Sequence, residues 1–177
     1  MSARPNNSFK PNATSGVGLI QALGPMKGSL CFALFFLATA SALAKEPSLV
    51  GDKELALGGI ALGDTEAVVL ASFGRARRTT DNGDFLNIRM EYPGLTVWLG
   101  EERRVGEMLS TSPKHCTPAG VCPGMPFAQL VAKYGPPLVA DREDGRFMEY
   151  PSSQSACWLQ ISVHKGVVKS VRAECQP

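Results

Sequence analysis

The chain has 177 residues, with 18 basic and 16 acidic side chains, a formal net charge of +2, and 44% hydrophobic residues. That length holds one or two small domains. The near-neutral charge, without a block of one sign, excludes a protein that works through a basic surface on nucleic acid or anionic lipid.

The first 44 residues do not read as folded protein. Residues 30–40, LCFALFFLATA, are an uncharged apolar run behind Lys27, and Ala42-Leu43-Ala44 gives a small-x-small site before Lys45. That order is a secretory signal peptide. The run is shorter than the roughly 20 apolar residues a spanning helix needs, so no stable membrane insertion is expected after cleavage. Residues 1–25 are polar and long for the start of such a signal, and Met26-Lys27 is a more usual beginning. Cys31 lacks the Leu-small-small context of a bacterial lipid-attachment site. Cleavage removes three of the eighteen basic residues, leaving fifteen against sixteen acidic ones, a net charge of about −1 over residues 45–177.

Residues 45–57 form a short polar entry segment. Asp64 is suited to cap a helix whose apolar stripe is Val69, Leu70 and Phe73, with Gly74 as its stop. Residues 79–84 read as a polar turn. Leu86, Ile88, Met90 and Tyr92 then alternate with Phe85, Asn87, Arg89 and Glu91, as in a half-buried strand. Pro93-Gly94 turns into the strand 95–99, and 105–111 is a third strand. The plan then recurs. Pro126 fits the first position of a helix with Phe127, Leu130, Val131 and Tyr134 at i, i+3, i+4 and i+7. Strands follow at 146–150, 157–163 and 167–175.

The recurrence is literal in places. GIALGDTEAVVLASFGR (59–75) and GVCPGMPFAQLVAKYGP (120–136) align at an offset of 61, pairing Gly59, Gly63, Ala67 and Gly74 with Gly120, Gly124, Ala128 and Gly135. Met90-Glu91-Tyr92-Pro93 returns as Met148-Glu149-Tyr150-Pro151, and Trp98 answers to Trp158. A fixed period marks a tandem duplication. The expected organisation is a leader and signal peptide (1–44), an entry segment (45–57), and repeats at 58–116 and 117–177 in one compact domain. The expected fold is α+β: two units of a helix plus a three-stranded meander, both helices on one face of an antiparallel sheet of about six strands.

Four cysteines follow the leader, and an even count in an exported chain implies two disulfides. Three pairings are possible; Cys116–Cys122, closing the loop between repeats, with Cys157–Cys175, joining the last two strands, is favoured. The compartment expected is the periplasm or the exterior.

A G-x-x-x-G before a short helix ending in aromatic-Gly, then a meander, duplicated once, resembles the β-lactamase inhibitory protein-like fold. Each half is similar to the SmpA/OmlA-type subunits of outer-membrane assembly machinery. The resemblance covers residues 58–177 and implies a binder of another protein, inhibiting or helping to assemble it, with no cofactor. The chain departs from it in lacking a lipid-attachment cysteine and any cysteine in residues 58–113.

Strand parity locates the candidate site. If Leu86, Ile88, Met90, Leu95, Val97 and Leu99 face the helices, then Phe85, Arg89, Glu91 and Trp98 face away; likewise Phe147, Glu149, Trp158, Gln160 and Arg172. Both tryptophans thus reach the helix-free face, at equivalent positions, with the composition of a protein-binding hot spot. The expected partner is another extracytoplasmic protein. Enzymatic readings carry less: His115, Cys116 and Cys122 offer a metal set only if the thiols are reduced. Asp141, Glu143 and Asp144 alternate with Arg142 and Arg146 as in a solvated turn, and His164 adjoins a turn. Ser152, Ser153 and Ser155 lack a G-x-S-x-G setting and read as turn chemistry. No residue is therefore assigned a catalytic or metal-binding role. A small periplasmic hydrolase or metal-dependent enzyme is the alternative reading.

Overall fold

The computed structural model describes residues 46–81, 83 and 85–176; the expected leader and signal peptide (1–44) fall outside the described residues. Ten strands and two α-helices follow one another as β1 (Ala56–Leu57), β2 (Ile60–Ala61), α1 (Glu66–Phe73), β3 (Arg78–Asp81), β4 (Ile88–Tyr92), β5 (Leu95–Leu99), β6 (Val105–Ser110), α2 (Phe127–Tyr134), β7 (Leu138–Arg142), β8 (Gly145–Pro151), β9 (Cys157–His164) and β10 (Val167–Cys175). β1 and β2 form a two-stranded sheet, and the other eight strands form one antiparallel sheet in the order β3-β4-β5-β6-β10-β9-β8-β7.

This overturns the expectation of three strands per helix and about six in all. The missing strands are the two edges. β3 (Arg-Thr-Thr-Asp) and β7 are solvated along most of their length, so neither carries the one-sided hydrophobic alternation from which a strand is read. Residues 79–84, expected as a turn, contribute most of β3, and Asp141 and Arg142, expected in a loop, end β7. Both meanders meet in the middle, where β6 pairs with β10 from Val171↔Ser110 to Glu174↔Glu107.

The core lies between the inner sheet face, the helices and the segment around β1 and β2. One cross-strand row, Met90, Val97, Met108, Ala173, Leu159 and Tyr150, is buried from end to end. Leu55, Leu57, Ile60, Val69, Val121 and Leu130 close it from the other side. The polar entry segment is bound in: Ser48 N–H donates to Pro136 O at 2.8 Å and Val50 N–H to Pro151 O at 3.0 Å. Glu54 accepts from the Tyr134 hydroxyl at 2.6 Å and from Ala119 N–H at 3.0 Å. Because Tyr134 gives its proton to Glu54, Thr117 donates to the phenol oxygen, also at 2.6 Å. Burial, then the bond to Glu54, pushes the Tyr134 hydroxyl far above its usual range.

The letter-for-letter repeats have a structural cause. Tyr92 OH donates to Gly74 O at 3.2 Å and Tyr150 OH to Gly135 O at 2.9 Å. Each tyrosine therefore satisfies a carbonyl that the end of its own helix leaves unpaired. Gly74 (φ 71°) and Gly135 (φ 84°) turn the chain out of the helix in a conformation that costs other residues steric strain. The aromatic before each glycine packs on the same tyrosine, Phe73 on Tyr92 at 5.4 Å and Tyr134 on Tyr150 at 5.3 Å. Each Met-Glu-Tyr-Pro copy thus locks helix to sheet.

Local details differ from expectation. Thr65, not Asp64, occupies the N-cap of α1, and the Asp64 carboxylate instead accepts from Ala61 N–H at 2.9 Å. Leu70 points to solvent, leaving Val69 as the buried residue of α1. Pro126 precedes α2 instead of opening it. Both disulfides form as favoured: Cys116–Cys122, and Cys157–Cys175 between register partners of β9 and β10. Two disulfides fit an oxidising compartment and an exported protein. No helix among the described residues is long and apolar enough to cross a membrane.

Candidate functional site

On the sheet face opposite the core, register brings the predicted residues into two parallel rows. One row runs Arg89, Trp98, Glu107, Glu174, Trp158 and Pro151, each paired with the next across neighbouring strands. The other runs Glu91, Thr96, Leu109, Arg172, Gln160 and Glu149. The buried core row lies between them in the strands, so alternation sends both to the other face.

The two tryptophans share this face but are not positional equivalents. Arg89 pairs with Trp98, whereas Phe147, which stands where Arg89 does in the repeated Met-Glu-Tyr-Pro frame, pairs with Ser162. Trp158 therefore lies four residues from the counterpart of Trp98. The cause is the β8–β9 connection: Tyr92 pairs with Leu95 across a tight turn, but Pro151 pairs with Trp158 around a longer one. An even displacement keeps the face, and it carries Trp158 along the strand to the level of Trp98. Two strands separate their own, which places the indoles about 14 Å apart at ordinary strand spacing.

Charge fills the space between and around them. Glu107 and Glu174 are register partners across β6 and β10. Arg172 Nη1 reaches both, at 3.0 Å and 3.6 Å. Burial pushes each carboxyl above its ordinary range, with the Arg172 guanidinium opposing. The Arg89 guanidinium lies 5.5 Å from the Trp98 ring centroid and 3.1 Å from Glu91, a cation–π contact combined with an ion pair.

Three predicted residues are placed differently. Phe85 lies with Leu86 in the turn before β4, not on a strand; Phe85 is exposed, and Leu86, expected on the core side, lines a cavity at this face beside it. Glu149 and Gln160 belong to the face but are buried, at 3% and 8% exposure. Glu149 is held by a two-pronged pair with Arg142, at 2.9 and 2.8 Å, and Gln160 Nε2 lies 3.5 Å from it. Phe147 is half-buried on β8. Glu107, Glu174, Leu109 and Arg142 were missed. Glu107 and Leu109 have outward parity within 105–111, but only the β6–β10 register shows that Glu107 meets Glu174.

Two cavities open at this face. One, of about 410 Å³, is lined by Phe85, Leu86, Gly106, Glu107, Glu174 and Gln176, with Cys175. The other, of about 300 Å³, is lined by Arg142, Glu149, Pro151, Trp158 and neighbours.

The catalytic and metal alternatives find other chemistry. Cys116 and Cys122 are joined to each other. His115 stacks edge-on against Phe73 and its Nε2–H donates to Pro93 O at 3.2 Å. Ser152 and Ser155 hydroxyls donate to Asp52, holding its carboxyl below the usual range. Asp141 pairs with Arg146 at 2.8 Å, and His164 is exposed at the end of β9.

No family model matches the chain, and no curated protein does. Among solved structures, it is similar to an extracellular protein containing an SCP domain from Bacillus anthracis, at 12% identity and TM-score 0.48, over 77% of this chain and 49% of that one. It is also similar to a DUF4309 family protein from Bacillus subtilis, at 14% identity and TM-score 0.46, over 64% of this chain and 79% of that one. A cysteine-rich secretory protein from Staphylococcus aureus matches at 14% identity and TM-score 0.45, over 65% of this chain and 43% of that one. The chain thus spans about half the length of the first and less of the third. At these identities and TM-scores they assign no function.

Proposed function

We propose that the protein is an exported, non-catalytic binding module that docks another extracytoplasmic protein on its helix-free sheet face. The observation that carries this reading is the single row in which Trp98 and Trp158 flank Glu107 and Glu174 on a face that neither helix covers. Large aromatics with interspersed arginine are the composition of interface hot spots, and half-buried indoles offer contact area with little rotamer entropy left to lose. The periplasm is the compartment this reading favours, and inhibition or assembly of the partner its role.

The test is crosslinked capture from the envelope fraction, comparing the parent with a Trp98→Ala/Trp158→Ala variant shown by circular dichroism to remain folded. Loss of a captured protein in the variant supports the reading. Equal capture by both moves the site off this face.

A further inference from the structure

Resting on the reading of the helix-free face as a docking surface, we propose that the pocket beside Glu107 and Glu174 receives a basic side chain, lysine or arginine, of the protein that docks there. The argument is charge complementarity within a shaped cavity. Elsewhere on the face cations and carboxylates are matched one to one: Arg89 with Glu91 and Arg142 with Glu149. At the centre they are not. Glu107 and Glu174 face each other in register, and both draw on one nitrogen of Arg172. Among the described strand residues with outward parity, the remaining charged side chain, Arg78, pairs in register with Glu91 at the sheet edge, three strands from Glu107. Cations and carboxylates thus number four each among the described strand residues of the face, but the centre holds two carboxylates to the single cation Arg172.

The cavity supplies the rest of the recognition. Its wall is formed by Phe85, exposed at 64%, and Leu86, whose Cδ2 fills the space where a Cβ on Gly106 would stand. An apolar wall leading to paired carboxylates matches the two parts of a long basic side chain, a methylene stem and a charged head. A charged head gains charge-assisted hydrogen bonds there. Burial disfavours the charged form of both carboxyls, and a second cation beside them offsets that by favouring it, as Arg172 already does in part.

The probes are three blocked tripeptides, Gly-Lys-Gly, Gly-Arg-Gly and Gly-Gln-Gly, titrated into the nitrogen-15-labelled protein while amide and indole resonances are followed. The lysine and arginine peptides are expected to shift Leu86, Glu107 and Glu174 at concentrations of about 10 mM, the weak range for a single side chain. The glutamine peptide is expected to leave them in place. Glu107→Gln/Glu174→Gln, which keeps size and shape, should weaken the basic peptides about tenfold, the scale for a desolvated charge pair. Phe85→Ala, at an exposed position, should weaken them without altering the rest of the spectrum. Equal response to the glutamine peptide, no response to the basic ones, or unchanged binding by the glutamine variant would overturn the inference. The two readings fail differently. A partner lost by Trp98→Ala/Trp158→Ala but kept by Glu107→Gln/Glu174→Gln removes the cation pocket and leaves the docking face. A partner indifferent to both removes the face itself.

Discussion

Replacing Tyr150 with phenylalanine removes one oxygen and should cost more than the same change at Tyr92. The side chains perform the same task, each donating to the glycine carbonyl at the end of its helix. Their surroundings differ. Tyr150 is fully buried, its bond is 2.9 Å, and Gly135 is covered by Ser48, whose hydroxyl stands where a Cβ on that glycine would be. Gly135 is half-buried, so without the phenol its carbonyl is less open to water than that of Gly74. An unsatisfied buried acceptor costs about 1–3 kcal/mol. Gly74 is exposed and the Tyr92 bond is longer, 3.2 Å, so water replaces that hydroxyl. The expected loss at Tyr92 is the net value of one ordinary hydrogen bond, about 1 kcal/mol or less. Urea denaturation of both variants, read by tryptophan fluorescence, gives the midpoints at a common slope. Equal losses, or a larger one for Tyr92→Phe, would refute the claim that burial of the receiving carbonyl sets the cost.

Two further outcomes follow from the same geometry. The Glu107 and Glu174 carboxyls are raised from the ordinary 4.5, so the folded chain holds protons that the unfolded chain releases. The stability they contribute is present below that value and declines as pH rises through the raised pKa values; Glu107→Gln should therefore gain thermal stability relative to the parent at neutral pH and lose that gain near pH ~4. A constant difference across that window would contradict it. For the disulfides, sequence separations of 18 and 6 predict that serine at Cys157 and Cys175 costs more than serine at Cys116 and Cys122, about 3 against about 2 kcal/mol in the chain-entropy account. The reverse order in denaturant midpoints would refute that account for this chain.

The central strands and both helices were legible because one face of each is buried: Ile88, Met90 and Tyr92 alternate with Arg89 and Glu91, and Leu130 anchors a helical period. The edge strands were not, because Arg78–Asp81 and Leu138–Arg142 have solvent on both sides for most of their length and no pattern to leave. The same limit applies to the site. Parity assigned Arg89, Glu91, Trp98, Trp158 and Arg172 to the outer face, since parity is a local property. Register is not local. The pairing of Glu107 with Glu174, and the level shared by the tryptophans, depend on how β6 meets β10 and on the length of the β8–β9 turn. Burial of Glu149 was hidden for a similar reason, as its partner Arg142 belongs to the edge strand read as a loop.

The most direct test of the docking face places a photo-crosslinking amino acid at Thr96, between Glu91 and Leu109 on that face, and in a second protein at Gln129, on the exposed side of α2. Each is irradiated in the envelope fraction. The account predicts a discrete protein adduct from Thr96 and none from Gln129. An adduct from Gln129 alone would place the partner on the helices and contradict the account.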